Sequence, residues 1–591
     1  MKKIISLLLA AMLLVGIFAG CGGTGSSSAA SSASAPASTQ ETPTAAPQQP
    51  DAASNQDAAS AEESSTPENN QVAAQNFDIP MPLTEEPVTF TYFMRFNPQV
   101  QDWCQDMSDN LFYSTASAVC NTSSSVRCCP KVFQLFHPMN FSEQFNLQMA
   151  SQDYADFYCE AASGYTGGYD KGVEDEVFLD LTPYIEEYAP NYNAIINMND
   201  QNRRDAVTDE GRVVFFAAAY DDGQPCGKGP MIRADWAKEF GMDPAEINTY
   251  DEYEQYIEQA YNTHGATVQL PMSGDPGFGY LSAGFDTLVS FGNSFEATLP
   301  WFQIDGTMYS GVLTDGFKEY VTMVADWYQK GWIYHDFMSE DFGMQGGADI
   351  GMVTSGESSL WWAEKDYMEQ YNQSAQDPNF EIAAIQDAVK NEGDVTHLGQ
   401  TNYDTLSTTS NCVISTACQE PEIAIQWMDY RYTEEGATLA NWGVEGVTYE
   451  LDANGDKQYT DLIVNNPEGM TATLAQFRYM LQNTVCLTDV SAKNQGMTEQ
   501  QLAAPDIWMT DKDNSWGCPT TLTMTTQEAD EYNSKAGDIT TYAQENFLRY
   551  IIGDAPISDL DSFIDTCVSM GLEDCLALQQ AALDRYYERI D

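Results

Sequence analysis

The chain of 591 residues carries 88 Asp and Glu against 25 Lys and Arg, which gives a formal net charge of −63. This balance argues against nucleic-acid binding, because phosphate neutralisation requires clustered basic side chains. It also disfavours polyanionic ligands in general. The four His residues lie far apart without ligand spacing, so we expect no metal site and no cofactor.

The first twenty residues have the three parts of an export signal. Two lysines give a positive start, residues 4–18 are almost entirely apolar, and two small residues stand directly before Cys21. The apolar stretch is shorter than the roughly 20 residues of a spanning helix, which makes an uncleaved anchor the weaker alternative. Phe-Ala-Gly-Cys at 18–21 resembles the lipobox of a bacterial lipoprotein signal. That resemblance implies cleavage before Cys21 and lipidation of its thiol.

Residues 22–76 contain no Lys, no Arg and no aromatic side chain. Such a segment cannot bury enough apolar surface to offset the entropy lost on ordering. We therefore predict a signal peptide over 1–20 and, over 21–79, the lipidated cysteine with a disordered Ser/Ala/Pro tether. A flexible chain of this length spans about 40 Å on average.

About 510 residues remain after the tether, and a chain of that length usually divides into more than one domain. Residues 88–93 predict a buried first strand, and residues 142–151 predict an amphipathic helix. A short helix begins at Pro183, since proline is favoured in the first turn. Residues 212–219 predict another buried strand. Helices and short strands then alternate through residue 440, which is the pattern of an α/β chain.

Asn454 and Gly455 lie between two alternating runs and predict a β-hairpin. A calcium loop beginning at Asp452 is the alternative. It fails on register, because Lys457 takes the position of the required glycine and Ile463 that of the final glutamate.

Twelve cysteines remain besides Cys21, so disulfides are possible in an exported chain, for instance Cys412 with Cys418 or Cys567 with Cys575. Spacing alone cannot assign the pairing. Residues 114–138 hold three of the cysteines, and neither a helical nor a strand period continues through the first half of this segment. It is either a disulfide-bearing loop or a local corruption of the coding sequence, and we assign no function to it.

Six segments of the folded part carry motifs in a consistent order: 140–156, 179–191, 231–243, 320–337, 424–449 and 547–586. The fifth is the most specific, with Ile-Gln-Trp-Met-Asp-Tyr-Arg-Tyr-Thr-Glu-Glu-Gly followed by Asn-Trp-Gly-Val-Glu-Gly. Together they resemble the extracellular solute-binding lipoproteins of bacterial carbohydrate ABC transporters, in the large Gram-positive branch of the family 1 solute-binding proteins.

The resemblance implies a two-lobed α/β fold of the type II periplasmic-binding-protein class, with each lobe discontinuous in sequence and hinge crossovers between them. It places lobe 1 at 80–215 plus about 395–445, and lobe 2 at about 216–394 plus 446–591. It further implies a monomeric receptor, not an enzyme, held on the extracellular face of the cytoplasmic membrane through its lipid alone. Such a receptor delivers an oligosaccharide to the ABC permease subunits. The net charge favours a neutral or amino-sugar glycan.

A sugar site requires aromatic platforms together with carboxylate or amide groups. Trp361 and Trp362 follow a Gly/Ser-rich turn. In the family that this chain resembles, the corresponding stretch borders the cleft. Trp442 and Glu445 lie in an Asn-Trp-Gly-Val-Glu-Gly loop, although Glu445 could instead cap backbone amides. The other candidates lie in loops or at a strand end, where α/β sheets present ligand groups. They are Tyr220, Asp221, Asp222, Asp153, Tyr154, Asp156 and Trp516.

The alternative functions are a peptide-binding ABC receptor, a surface glycoside hydrolase and a structural lipoprotein. With 88 acids, paired carboxylates occur by chance, so they do not support a hydrolase. The sequence contains no GxSxG, HExxH or phosphate-binding GxxxxGK[ST] motif. A structural lipoprotein would be expected to show internal repeats, and we find none.

Overall fold

The computed structural model describes residues 77, 79–94, 100, 103–104, 106–126, 138–221, 226–270, 276–289, 299–338, 348–399, 406–481, 485–513 and 515–590. The predicted signal, lipidation site Cys21 and most of the tether lie outside these residues. No helix among the described residues is long and apolar enough to cross a membrane.

The strands are β1 Val88–Phe93, β2 Thr122–Val126, β3 Phe157–Cys159, β4 Phe215–Tyr220, β5 Lys228–Arg233, β6 Thr267–Val268, β7 Trp301–Ile304, β8 Thr307–Ser310, β9 Ser358–Glu364, β10 Ile382–Ala384, β11 Leu406–Ile414, β12 Tyr449–Leu451, β13 Lys457–Tyr459 and β14 Leu487–Thr488.

The helices are α1 Leu111–Cys120, α2 Pro138–Ser151, α3 Gly168–Glu174, α4 Ile185–Tyr188, α5 Pro190–Ile196, α6 Asp200–Ala206, α7 Ala234–Glu239, α8 Tyr250–His264, α9 Pro276–Ser282, α10 Asp315–Gln329, α11 Ile350–Ser355, α12 Tyr367–Ser374, α13 Pro421–Asp429, α14 Glu434–Asn441, α15 Asp461–Val464, α16 Ala472–Tyr479, α17 Val490–Asn494, α18 Glu499–Trp508, α19 Thr526–Ile551, α20 Leu560–Ser569 and α21 Leu572–Glu588.

Two mixed sheets organise these elements. The first has the order β14-β4-β11-β3-β1-β2, and β11 runs antiparallel to both of its neighbours. The second has the order β10-β5-β9-β6, in which β5 runs antiparallel to β9 and β10 while β6 and β9 are parallel. Two separate hairpins, β7–β8 and β12–β13, complete the described sheets.

Each sheet has its own hydrophobic core, built from distant parts of the chain. The core of the first sheet takes residues from 90–219, 406–440 and 485–487. The core of the second takes residues from 232–388 and 532–575. We call the first sheet with its core the first lobe and the second sheet with its core the second lobe. The chain changes lobe between β4 and β5, between β10 and β11, and between β14 and α18.

Local sequence accounts for several of these elements. All six residues of β4 are buried, as a strand covered on both faces requires. Helix α8 begins with a capping box between Thr249 and Glu252 and ends at Gly265, whose φ of 71° suits the left-handed C-cap. The predicted hairpin is confirmed by β12 and β13. In its turn, Asp452 Oδ1 accepts the backbone N–H groups of Asn454 and Asp456 at 2.8 and 2.9 Å.

The structure bears on two cysteine-bearing segments that the sequence left open. A disulfide-bearing loop was one of the two alternatives for residues 114–138, but residues 114–126 form the end of α1 and strand β2. Phe112, Tyr113, Ala116 and Cys120 place one apolar face of α1 in the first core. Residues 127–137 of the same segment lie outside the described residues. Neither candidate disulfide is formed, since Cys412, Cys418, Cys567 and Cys575 are all thiols. The neighbour of Cys412 is instead Cys159, directly opposite it on β3.

Candidate functional site

The carboxyl ends of three strands meet at one edge of the first sheet. Strands β3 and β4 both pair antiparallel with β11, and β14 pairs parallel with β4, so β3, β4 and β14 point the same way. Glu160 follows β3, Tyr220 ends β4, and Asp489 follows β14. Open α/β sheets bind their ligands beyond this end of their strands. We call this the first-lobe edge.

The chain leaves the first-lobe edge directly for the second sheet. Strand β4 ends at Tyr220 and β5 begins at Lys228, so few residues separate the two sheets at this point. Lys228 pairs with Glu364 at the end of the adjacent strand β9, with 3.6 Å between Nζ and Oε1. Lys365 and Asp366 follow β9. The first-lobe edge and the end of β9 therefore flank a lobe crossover. This is the place where a ligand could contact both lobes.

The start of helix α17 connects several side chains of the first-lobe edge through hydrogen bonds. Asp489 is its N-cap, with Oδ1 accepting the backbone N–H of Ser491 at 3.0 Å. Asp489 Oδ2 accepts the indole N–H of Trp442 at 2.6 Å. Asp221 Oδ1 accepts the backbone N–H of Val490 at 3.0 Å. The structure thus brings together the predicted residues Asp221 and Trp442 through a helix that sequence analysis did not single out.

Two lysines face this junction. Lys493, on α17, places Nζ 4.9 Å from the centre of the Tyr220 ring, a cation–π distance. Lys365 Nζ lies 3.5 Å from Asn494 Oδ1, at the limit of a hydrogen bond. Burial lowers the pKa of both lysines, because it disfavours the charged form. Basic groups from both sides of the crossover therefore meet here.

Trp361 and Trp362 are buried. They are neighbours on β9, so their side chains point to opposite faces of the second sheet. Trp361 packs against Tyr371 and lies in a cluster with Trp508, whereas Trp362 lies in the second core. Both are no more than 1% exposed. A ligand contact by either ring would require a rearrangement that exposes it.

Asp153, Tyr154 and Asp156 lie at the opposite end of the first sheet. They precede β3, whereas the first-lobe edge follows it. Asp156 Oδ2 accepts the backbone N–H of Thr91 at 2.7 Å and its hydroxyl at 2.6 Å, which ties β1 to the start of β3. The structure therefore does not bring these three residues to Tyr220.

The remaining candidates are dispersed. Trp516 is half-buried, and its ring stacks nearly parallel to those of His397, at 4.3 Å, and Phe302, at 5.9 Å. Glu445 is exposed between Gly443 and Gly446, whose φ values of 83° and 76° shape the loop as a turn. Asp222 lies outside the described residues.

Sequence reasoning missed Glu160, Lys365, Asp489 and Lys493. Glu160 carries a signal that only the backbone reveals, since it adopts a φ of 60° at the end of β3, where a non-glycine residue is uncommon. Asp489 follows a strand of two residues, too short for a periodic pattern.

A polar recess of about 240 Å³ lies elsewhere, in the second lobe. Its lining includes Asp387, Asp394 and Asp511, and its other lining residues lie at 248, within 386–396 or at 510. No residue of the first sheet contributes to it, so a ligand there would not bridge the lobes. We therefore base the candidate site on the crossover.

No family model and no curated protein matches the chain. Solved structures do share its fold. The alginate-binding protein AlgQ2, in a calcium-free crystal structure, matches with a TM-score of 0.65 at 18% identity over 85% of this chain and 99% of its own. An extracellular solute-binding protein of Bifidobacterium longum subsp. infantis matches at 0.64 and 14%, over 85% and 98%. FusA, an ABC-transporter substrate-binding protein of S. pneumoniae in complex with kestose, matches at 0.63 and 16%, over 85% and 99%. The predicted two-lobed α/β fold is confirmed.

Proposed function

We propose that this protein is an extracellular receptor that binds an oligosaccharide between its two lobes and delivers it to the permease of an ABC importer. The observation that carries the proposal is the fold, shared over about 85% of the chain with proteins described as binding alginate or kestose. The residues at the crossover support it, because carboxylate, amide and ammonium groups from both lobes face one place.

Closure follows from where such a ligand would sit. A ligand that contacts both the first-lobe edge and the end of β9 is held by more groups when the lobes are close together. Its higher affinity for the closed form shifts the population toward that form. The closed form then presents the surface that the permease recognises. The protein acts as a monomer and carries out no chemistry on the sugar.

The membrane attachment is a lipid on Cys21, with residues 22–79 as the tether that holds the receptor near its transporter. Replacing Cys21 with Ala in the native host should abolish metabolic labelling with a fatty-acid analogue, and the protein should be released or retained with its signal uncut. Unchanged labelling would refute the assignment. Gly22→Ala, which changes the neighbouring residue and keeps Cys21, serves as the control and should leave the labelling unchanged.

Binding is tested with the purified protein and a panel of neutral, amino-sugar and uronate oligosaccharides. We expect a rise in the melting temperature with at least one glycan and no product by chromatography. Turnover of a glycan would support a hydrolase, and stabilisation by oligopeptides alone would support a peptide receptor.

Glu160 provides a variant that tests the position of the site. Glu160→Gln keeps the shape of the side chain but replaces a charged acceptor of sugar hydroxyls with a neutral one. We expect the dissociation constant for a bound glycan to rise about tenfold, since hydrogen bonds to charged groups contribute about 1.5–3 kcal/mol. Glu174→Gln, at an exposed position on α3, is the matched control and should leave binding unchanged.

A further inference from the structure

Lys365 and Lys493 are unusual among the basic residues of this chain. The chain has 88 acidic side chains for 25 basic ones, so a lysine is expected to find a carboxylate easily. Most other described lysines do so, as Lys238 does with Glu381 at 2.6 Å. Within the described ranges, neither Lys365 nor Lys493 has a carboxylate oxygen within 4.0 Å of Nζ.

The carboxylates nearest to α17 already accept other donors. Asp489 accepts the N–H groups of Trp442 and Ser491, and Asp221 accepts the N–H of Val490. Glu364 faces Lys228. Asp366 is exposed, and it attracts both lysines from more than the 4.0 Å of an ion pair.

Keeping two ammonium groups here is unfavourable without a partner. Both side chains are half-buried, and each loses hydration that no ion pair replaces. Lys365 also repels Lys493, which contributes to the lowered pKa of Lys493. The aromatic face of Tyr220 compensates for part of this, but only on one side of Lys493. An anion placed between the two ammonium groups would relieve both the desolvation and the repulsion.

We propose that Lys365 and Lys493 form an anionic subsite of the crossover cleft, which receives the carboxylate of a uronic acid residue in the bound oligosaccharide. Lys365 follows β9 of the second lobe, and Lys493 lies against Tyr220 of the first. A single carboxylate between them is therefore a contact that closure completes. This inference rests on the proposed oligosaccharide receptor and names its substrate class.

The net charge of −63 does not oppose this assignment. Charges beyond about 8 Å are largely screened at physiological ionic strength, so the local groups decide the sign felt by a bound carboxylate. Within the described part of the crossover, Lys365 and Lys493 have no carboxylate within ion-pair distance, whereas Asp221, Asp489 and Glu364 each have a hydrogen-bond or ion-pair partner. The whole-chain argument for a neutral or amino-sugar glycan is therefore replaced, at this site, by the local one.

Titration calorimetry on the purified protein tests the inference. The ligands are trisaccharides of galacturonate, mannuronate and glucuronate, and each is compared with its own methyl ester. The ester keeps the sugar and removes the charge. We expect one acid to bind at least tenfold more tightly than its ester, with a preference that shrinks as salt is raised from 20 to about 300 mM. That comparison requires no mutation, so it stands even where a variant does not fold.

The variants Lys365→Met and Lys493→Met should each reduce the preference for the acid over the ester about tenfold, and Lys493→Arg should retain it. Lys318→Met, which removes an equal charge from a surface pair with Asp561, is the control and should retain it fully. If a neutral or amino-sugar glycan binds and no acid exceeds its ester, the anionic subsite is refuted while the receptor stands. If no glycan of either panel binds, the proposed function itself fails.

Discussion

Asp429 links the stability of the first lobe to pH. It ends α13 in the core of the first lobe, where it is fully buried. Its carboxylate caps the start of α5, with Oδ1 accepting the Tyr192 N–H at 2.7 Å and Oδ2 accepting the Asn191 side-chain amide at 2.7 Å. Burial raises the pKa of Asp429 from 3.8 to about 6, and these hydrogen bonds lower it only in part.

The sign of the pH dependence follows from this pKa. The folded protein holds the proton of Asp429 more tightly than the unfolded chain does. The stabilising contribution is therefore fully present below pH 3.8 and is lost as pH rises through about 6. With these two pKa values, linkage gives a loss of about 2 kcal/mol between pH 4.5 and 7.5.

Asp429→Asn removes this titration while keeping the shape of the side chain. We expect the free energy of unfolding of the wild type, relative to the variant, to fall by about 2 kcal/mol from pH 4.5 to 7.5. Urea unfolding followed by tryptophan fluorescence at five pH values measures it. Asp538→Asn, at an exposed position on α19, is the control for the general effect of pH. A difference that is flat or rises with pH would show that the α5 N–H groups keep Asp429 ionised, and the reasoning would be wrong.

Two further predictions concern packing and the thiols. A methyl group on Gly229 would lie 2.5 Å from the ring of Trp508, so Gly229→Ala should lower the free energy of unfolding by about 1–3 kcal/mol. Gly537, in the middle of α19, has nothing within 4 Å of such a methyl group, so Gly537→Ala should raise the free energy of unfolding by about 0.5–1 kcal/mol. Thermal melts of the two variants and the wild type measure both effects. Cys159 and Cys412 face each other with 2.9 Å between their sulfur atoms, so refolding with glutathione disulfide should join them and release two glutathione thiols. Peptide mapping without reductant should recover that pair, and a Cys412–Cys418 link would contradict the assignment.

The fold could be predicted largely from local patterns and the order of motifs. Residues 88–93 form β1 as predicted, and the run predicted over 212–219 contains most of β4. The turn at Asn454-Gly455 joins β12 to β13. These elements are strongly encoded because their residues meet neighbours that are close in sequence, or are buried on both faces. The lobe limits at 215, 394 and 445 stay predictions.

The site could be predicted only in part. Tyr220 and Asp221 were identifiable because polar groups directly after a buried strand lie at a sheet edge. Lys493 and Asp489 were not, since they come about 270 residues later, and only the parallel pairing of β14 with β4 brings them to the same edge. The Gly/Ser turn before Trp361 and Trp362 suggested that both side chains border the cleft, but both are buried. That turn ends α11 at Gly356 and leads into a strand covered on both faces, which periodicity alone cannot distinguish from a loop at a cleft.

Specificity in such an acidic protein depends on which charges already have partners. The formal charge counts every carboxylate equally, but a carboxylate that accepts a backbone or indole N–H has part of its charge compensated where it stands. Asp221 and Asp489 are in that position, and they are the acidic groups closest to α17. Lys365 and Lys493 beside them have only an amide oxygen and an aromatic face, and no carboxylate within ion-pair distance among the described residues. The electrostatic potential at the crossover therefore depends on which nearby charged groups already have partners. A receptor with a net charge of −63 can still select a carboxylate there.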